Sequence, residues 1–333
     1  MRSTLYSLAE ATAKIKTGAP LLLAGDESLL KKLPPGPWIG GTIPYFMTVE
    51  SGGVFSRDRV FITELPPSTE NVRIVVLEDR HLREIYQQMP DNGFGFIIMP
   101  GSSKTQLHFA LNAPRYPAFG VRPLVGWVSG IDLAESGKTK PKVVDGQSGR
   151  IFEEGAVVMY VSLPKTKVAN VGIHNIFSSG TGDDLTFEAE GFSAGEVLVN
   201  GRKQNFGRYL KENKINTKLP LVTNLNGVNL NVAFAGVDGK TGVASFYAPV
   251  FKGLTYRHAV LEGDYVDRFL SDFPVDLGGS VCFSCNCICN YLHSNLQGRK
   301  MGALAGPITF GEVAYQLLNQ TMVYLSITDA VKI

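Results

Sequence analysis

The sequence predicts an α+β fold of two mixed, mainly antiparallel sheet lobes with flanking helices. Three observations carry that reading. Glycine occurs 36 times in 333 residues, above the usual share of about 7%, which favours tight turns over long helices. Apolar residues fall in many short runs closed by Gly, Pro, Asp or Asn, the pattern of strands joined by turns. Helical spacing of apolar residues is confined to brief stretches.

The elements follow in order. Residues 1–17 read as a helix, with Leu5, Leu8, Ala9 and Ile15 near one face. PLLLAG (20–25) is a buried strand bounded by Pro and Gly. DESLLKKL (26–33) starts with an acidic cap and makes one or two helical turns. WIGGTIPYFM (38–47), VFITEL (60–65), VRIVVLE (72–78) and GFIIMP (95–100) read as strands. DRHLREIYQQM (79–89) and SKTQLHFAL (103–111) read as helices. After about residue 113 the texture turns to hairpins: 121–128, 141–145, 151–163, 168–177 and 184–200, with turns such as VDGQSG and SSGTGDD. NFGRYLKENK (205–214) and DYVDRFLSDF (264–273) are helical. The stretches from PLVTNL to GLTYRHAVL, then SVCFSCNCI (280–288) and NQTMVYLSIT (319–328), are strands. The boundary between the lobes is placed near residue 201, giving 1–201 and 202–333.

Composition bounds the function. The chain is long enough for one large core or two ordinary ones. Its 32 Lys and Arg balance 30 Asp and Glu and are scattered, unlike the basic face of a nucleic-acid binder. No run reaches the roughly 18 apolar residues of a membrane span, and the mixed-charge start lacks a signal-peptide core. The expectation is a soluble, cytoplasmic protein with neither nucleic-acid nor membrane partners. One internal echo stands out. GPWIGGTIPY (36–45) aligns without gaps onto GPITFGEVAY (306–315). A repeat would give each lobe an equivalent glycine-bearing strand beside a shared cleft.

All four cysteines lie in GSVCFSCNCICNYLHS (279–294): Cys282, Cys285, Cys287 and Cys289. On a strand, Cys285, Cys287 and Cys289 share one face. Parallel thiols do not converge easily on one ion, and no second Cys pair completes a zinc site. A bulge after Phe283, or a helix near Asn290 that swings His293 back, would change that. No cofactor is therefore expected, with zinc and haem left open. A redox pair needs the thiolate-favouring start of a helix, and Cys287 and Cys289 also suit plain core packing. MPGSSKTQLHFAL (99–111) passes from strand through Gly101 into a helix. It lacks the G-x4-G-K-[ST] phosphate loop, and a Ser102 or Ser103 cap is favoured over an anion site. His174 and His258 are the best single axial-ligand candidates. No metal-pairing histidines or G-x-S-x-G elbow occur. Glu153-Glu154 and Asp183-Asp184 read as turn residues.

Phe283-Ser284-Cys285, Phe310-Gly311-Glu312 and Asn319-Gln320-Thr321 resemble three motifs of the C-terminal half of FIST domains. Residues 190–210 resemble that family's transition between halves, and WIGGTIPYFM its Gly-Gly-Thr strand. Leu318 stands where the family motif has histidine, and Asn286-Cys287-Ile288 where it has Gly-Arg. The resemblance implies a non-enzymatic sensory module for a small molecule, with a separate signalling protein to read its state; some FIST relatives bind haem. It places Cys285, Glu312, Asn319 and Thr321 around a cleft between the lobes, joined by Thr42 and Tyr315. Glu, Asn and Thr supply a charge, an amide and a hydroxyl there. The alternative is an enzyme or redox protein with Cys285 as nucleophile and Glu312 as acid or base.

Overall fold

A computed structural model describes residues 3–225, 228–273 and 280–330. The α+β expectation holds: strands outweigh helices, 42% to 17%, in several mixed, mainly antiparallel sheets with short helices. The N-terminus differs from the single helix read over 1–17. Ser3–Tyr6 is a strand paired antiparallel with Val60–Glu64, and Leu8–Ile15 is the helix. Ser7 and Glu10 explain the switch. The Ser7 side chain accepts from the Glu10 N–H while the Glu10 carboxylate accepts from the Ser7 N–H. This capping box fixes the first helical residue at 8 and releases the residues before it to pair. Residues 1–2 lie outside the described residues.

The chain contains the same topological unit twice. In the first, strand Leu21–Gly25 leads through a short helix, Glu27–Leu30, to the parallel strand Trp38–Thr42. A hairpin, Tyr45–Thr48 with Gly52–Phe55, follows. Val60–Glu64 then returns antiparallel to Leu21–Gly25. In the second, Ser280–Cys287, helix Ile288–His293 and strand Gly306–Thr309 repeat the parallel pair. The hairpin is Glu312–Ala314 with Gln316–Leu318, and Met322–Asp329 returns antiparallel to the first strand. The Gly-Pro echo marks the right elements in the wrong register. The two chain breaks are Ile43–Pro44 and Phe310–Gly311, whereas the ungapped alignment sets Ile43 on Val313. WIGGTIPYFM is therefore two strands in two sheets. Pro44, with no N–H to donate, marks the bend.

Segments 1–201 and 202–333 are interleaved. Leu124–Ser129 pairs with Glu312–Ala314, Lys167–His174 with Met322–Asp329, and Tyr45–Thr48 with Gly306–Thr309. Gly201 sits in the hairpin turn between Glu196–Val199 and Arg202–Asn205. Strands within 178–260 form a seven-stranded and a three-stranded sheet over a core of their own, including Phe187, Phe206, Phe246 and Tyr256. The helix read over 79–89 shrinks to a 3-10 stretch, Asp79–Glu84, although Leu82, Ile85 and Tyr86 do bury the face that the spacing marks.

Two sheets enclose the main core. One runs through Gly93–Pro100, Leu124–Ser129 and Glu312–Ala314; the other carries Ser280–Cys287. Phe96 of the first meets Phe283 of the second edge to face at 4.6 Å. Close backbone approach needs glycine at several places, two of them between paired strands of these sheets. A Cβ on Gly126 would stand 1.8 Å from the Ile97 carbonyl oxygen, and one on Gly306 1.8 Å from that of Ser284.

Candidate functional site

The cysteine strand pairs antiparallel with Met322–Asp329 and carries a bulge between Val281 and Phe283. It ends at Cys287, so Ile288 and Cys289 are helical, not strand as expected. Asn286 explains the stop. Its side-chain oxygen accepts from the Cys287 N–H at 2.7 Å and from Asn290 Nδ2 at 2.9 Å. These local bonds compete with the ladder and turn the chain. Three thiols therefore do not stand in parallel on one strand. Cys289 returns on the first helical turn, close enough to Cys287 to raise its thiol. Ser284 bonds the Ala305 carbonyl, and Asn286 reaches Tyr265 and Met301. The Cys285 thiol instead donates to the Gly126 carbonyl at 3.6 Å, which the bare Gly126 backbone permits.

Glu312 is fully buried, opposite Trp127 in the antiparallel register. Its Oε2 accepts from the Thr321 N–H at 3.1 Å and the Thr321 hydroxyl at 2.9 Å. Asn319 Nδ2 donates to Cys287 Sγ at 3.6 Å. Backbone closes the group, for the Thr321 carbonyl accepts from the Cys287 N–H at 3.2 Å. Four of the expected residues, Cys285, Glu312, Asn319 and Thr321, thus gather with Cys287 and Cys289.

The cluster is under-satisfied. Glu312 Oε1, Asn319 Oδ1, Asn290 Oδ1 and Trp127 Nε1 are buried without a hydrogen-bond partner among the described residues. Each such atom costs about 1–3 kcal/mol. Burial, then the neighbouring Cys287, pushes the Glu312 carboxyl well above the ordinary range, against the pull of the two Thr321 donors. Burial also raises the Cys285 and Cys287 thiols, helped by Glu312 beside the first and Cys289 beside the second. Both shifts favour the protonated forms, an acid beside the Cys285 and Cys287 thiols. The group can donate and accept hydrogen bonds, but it presents no thiolate.

The other two expected residues lie apart. Tyr315 sits in the Glu312–Leu318 hairpin turn at φ 62°. Its carbonyl accepts from the Tyr86 hydroxyl and its ring packs near Phe119. Thr42 donates to the Gly130 carbonyl at 2.7 Å and accepts from the Lys142 N–H at 2.9 Å. It lines a separate 230 Å³ pocket with Asp26 and Arg57. Both were chosen from short motifs, which do not say on which side of a sheet a residue emerges.

The cavity beside Cys285 is only about 10 Å³, roughly one water. A ligand-sized pocket of about 400 Å³ lies between the Gly101–Ser103 turn and the loop around 131–141. Tyr247 and Phe310 line it. Tyr247 lines the pocket and packs against the core that contains the cysteines; its hydroxyl is raised to about 12, first by burial and then by the nearby Cys289 and Cys287. Phe310 is two residues before Glu312 in the chain. Sequence reasoning missed Tyr247, Trp127 and Asn290; it read Cys287 and Cys289 as suited to core packing, and both are buried in the main core. The dense run CNCICN was the one available signal. Among the described residues, no three His, Cys, Asp or Glu side chains are grouped to hold a metal ion. His174 is held by the Phe269 carbonyl at 3.2 Å and packs edge-on against Phe269 and Phe273. No described helix is long and apolar enough to cross a membrane.

A family model described as a family of unknown function (DUF6976) matches residues 6–328. No curated protein matches the chain.

Proposed function

From the premise that the chain belongs to this family of unknown function, which supplies no activity to carry over, we propose that it is a non-enzymatic binding module for a small molecule. In this reading it is a sensory protein, as its resemblance to FIST domains implies, and a separate signalling protein reads its state. One observation carries the reading: Tyr247 lines a ligand-sized pocket and packs against the core that holds an acid–thiol cluster with unpartnered buried atoms. Packing alone has no use for a buried Glu312 beside Asn319 and the thiols, because apolar side chains would fill the space without the polar cost. Ligand entry that moves Tyr247 or Phe310 would change what those atoms meet.

An enzyme built on Cys285 is the second reading, favoured by the acid beside the thiol. It is weakened by the raised thiol, since the thiolate is the reactive form. Metal sensing has less support, because no three described His, Cys, Asp or Glu side chains are grouped to hold an ion. Of the two axial-ligand candidates for haem, His174 already has Nε2 on a backbone carbonyl, and His258 Nε2 is buried without a hydrogen-bond partner among the described residues.

The test is a thermal-shift screen of a small-molecule library on the wild-type chain, with Tyr247→Phe and Glu312→Gln alongside and an absorbance spectrum of the purified protein. The reading expects compounds that raise the wild-type midpoint and raise it less in the variants. A library that leaves the wild type unmoved, or compounds that shift all three chains alike, would sink it.

A further inference from the structure

The wall of the 400 Å³ pocket narrows the chemistry of its occupant; this rests on the binding reading above. Its size suits a small ligand. Three charged side chains line it: Lys140, Glu153 and Glu154. Each already has a partner. Lys140 Nζ lies 3.3 Å from Glu153. The other Glu153 oxygen lies 3.7 Å from Lys142, which also holds Glu27 at 2.8 Å. Glu154 accepts from the backbone N–H groups of Lys104 at 2.9 Å and Thr105 at 3.4 Å. The positive end of helix Lys104–Asn112 is therefore filled by the protein's own carboxylate, and the anion seat considered for that turn is taken.

A charged ligand would have to compete with one of these partners or bind without a counter-charge, so the wall offers an ion no free opposite charge. What remains on the wall has two characters. Ser102, Ser136, Thr139 and Tyr247 offer hydroxyls, and Ser102 is held in a left-handed turn at φ 58° with its N–H on Gln106 Oε1 at 2.6 Å. Ile131, Leu133, Pro141 and Phe310 offer apolar surface. We propose that this pocket takes a neutral small molecule that carries both hydroxyl groups and an apolar face.

Three probes of one skeleton test this: benzyl alcohol, benzoate and benzylammonium, titrated into the isotope-labelled full chain and followed by its amide resonances. Benzyl alcohol should shift the amides of residues 101–106 and 131–141. It should bind about tenfold more tightly than either ion, with an affinity that does not change between low and high salt. In Glu153→Gln, an exposed change that frees Lys140, benzoate should gain and approach the alcohol. An ion that binds these amides as well as the alcohol overturns the ligand class but keeps the pocket as a site. Benzoate binding that is indifferent to Glu153→Gln overturns the charge argument. Silence of these amides to all three probes overturns the pocket itself, and with it the present placing of the binding function.

Discussion

Replacing Glu312 by Gln isolates the electrostatics of the cluster. Glutamine keeps the size and leaves a carbonyl oxygen for the two Thr321 donors, but it cannot ionise. In the unfolded chain Glu312 titrates near about 4.3; in the folded chain burial holds its proton to well above that. Between those two values the folded state binds more protons than the unfolded one. Stability therefore falls as pH rises through that window, by about 1.4 kcal/mol per pH unit from this group alone. Below the unfolded value both states are protonated and the contribution is flat. Glu312→Gln removes the dependence. The stability difference, variant minus wild type, should therefore grow in the variant's favour above about pH 5, at about that slope for as long as the folded acid keeps its proton. Denaturant unfolding of both chains at a series of pH values measures this directly. Parallel pH profiles for wild type and variant would refute the reasoning, since they would mean that Glu312 titrates alike in both states.

Two further predictions follow from the same packing. Native Cys285 and Cys287 should react with iodoacetamide at neutral pH at least ~100-fold more slowly than in the denatured chain, because the buried thiols rarely ionise; rapid native labelling at either site, located by mass spectrometry, would revive the nucleophile reading. Gly126→Ala should cost more than ~3 kcal/mol or abolish folding, because its Cβ would stand 1.8 Å from the Ile97 carbonyl in a close-packed sheet; a wild-type denaturation midpoint would show that the Gly93–Pro100 and Leu124–Ser129 strands can part there.

The site raises a question of economy. Polar atoms buried without partners lower stability, and proteins keep few of them. Glu312, Asn319 and Trp127 hold three such atoms close to the thiols. Under the binding proposal they are the strained, adjustable part of the molecule, and the rigid part is the pair of sheets that meet at Phe96 and Phe283. Gln320 sits at the hinge between the parts. It adopts φ 53° between Asn319 and Thr321, its carbonyl accepts from Asn231 and its side chain donates to the Lys218 carbonyl. The turn that carries two cluster residues is thus held by the small lobe formed by residues 178–260.

Local signals made much of the fold legible. Short apolar runs between turn residues located the strands, because a strand's buried face needs only a few alternating side chains. Asp26, Ser103 and Asp264 cap the helices that follow them, as short oxygen-bearing side chains do wherever four N–H groups lack partners. The Gly-Pro echo exposed the repeated unit, and the motifs at Cys285, Glu312, Asn319 and Thr321 pointed to one place. Tertiary structure decided the rest. Ser3–Tyr6 becomes a strand only because Val60–Glu64 offers an edge. Thr42 and Tyr315 leave the cluster because sheet pairing, not motif spacing, sets which side of a sheet each side chain faces. The charge of Glu312 is decided the same way. Its proton is kept by desolvation, and desolvation comes from strands far apart in sequence, such as Leu124–Ser129 and Ser280–Cys287, closing over one carboxyl. A pattern of neighbouring residues records which faces are apolar, but not which distant face will cover them.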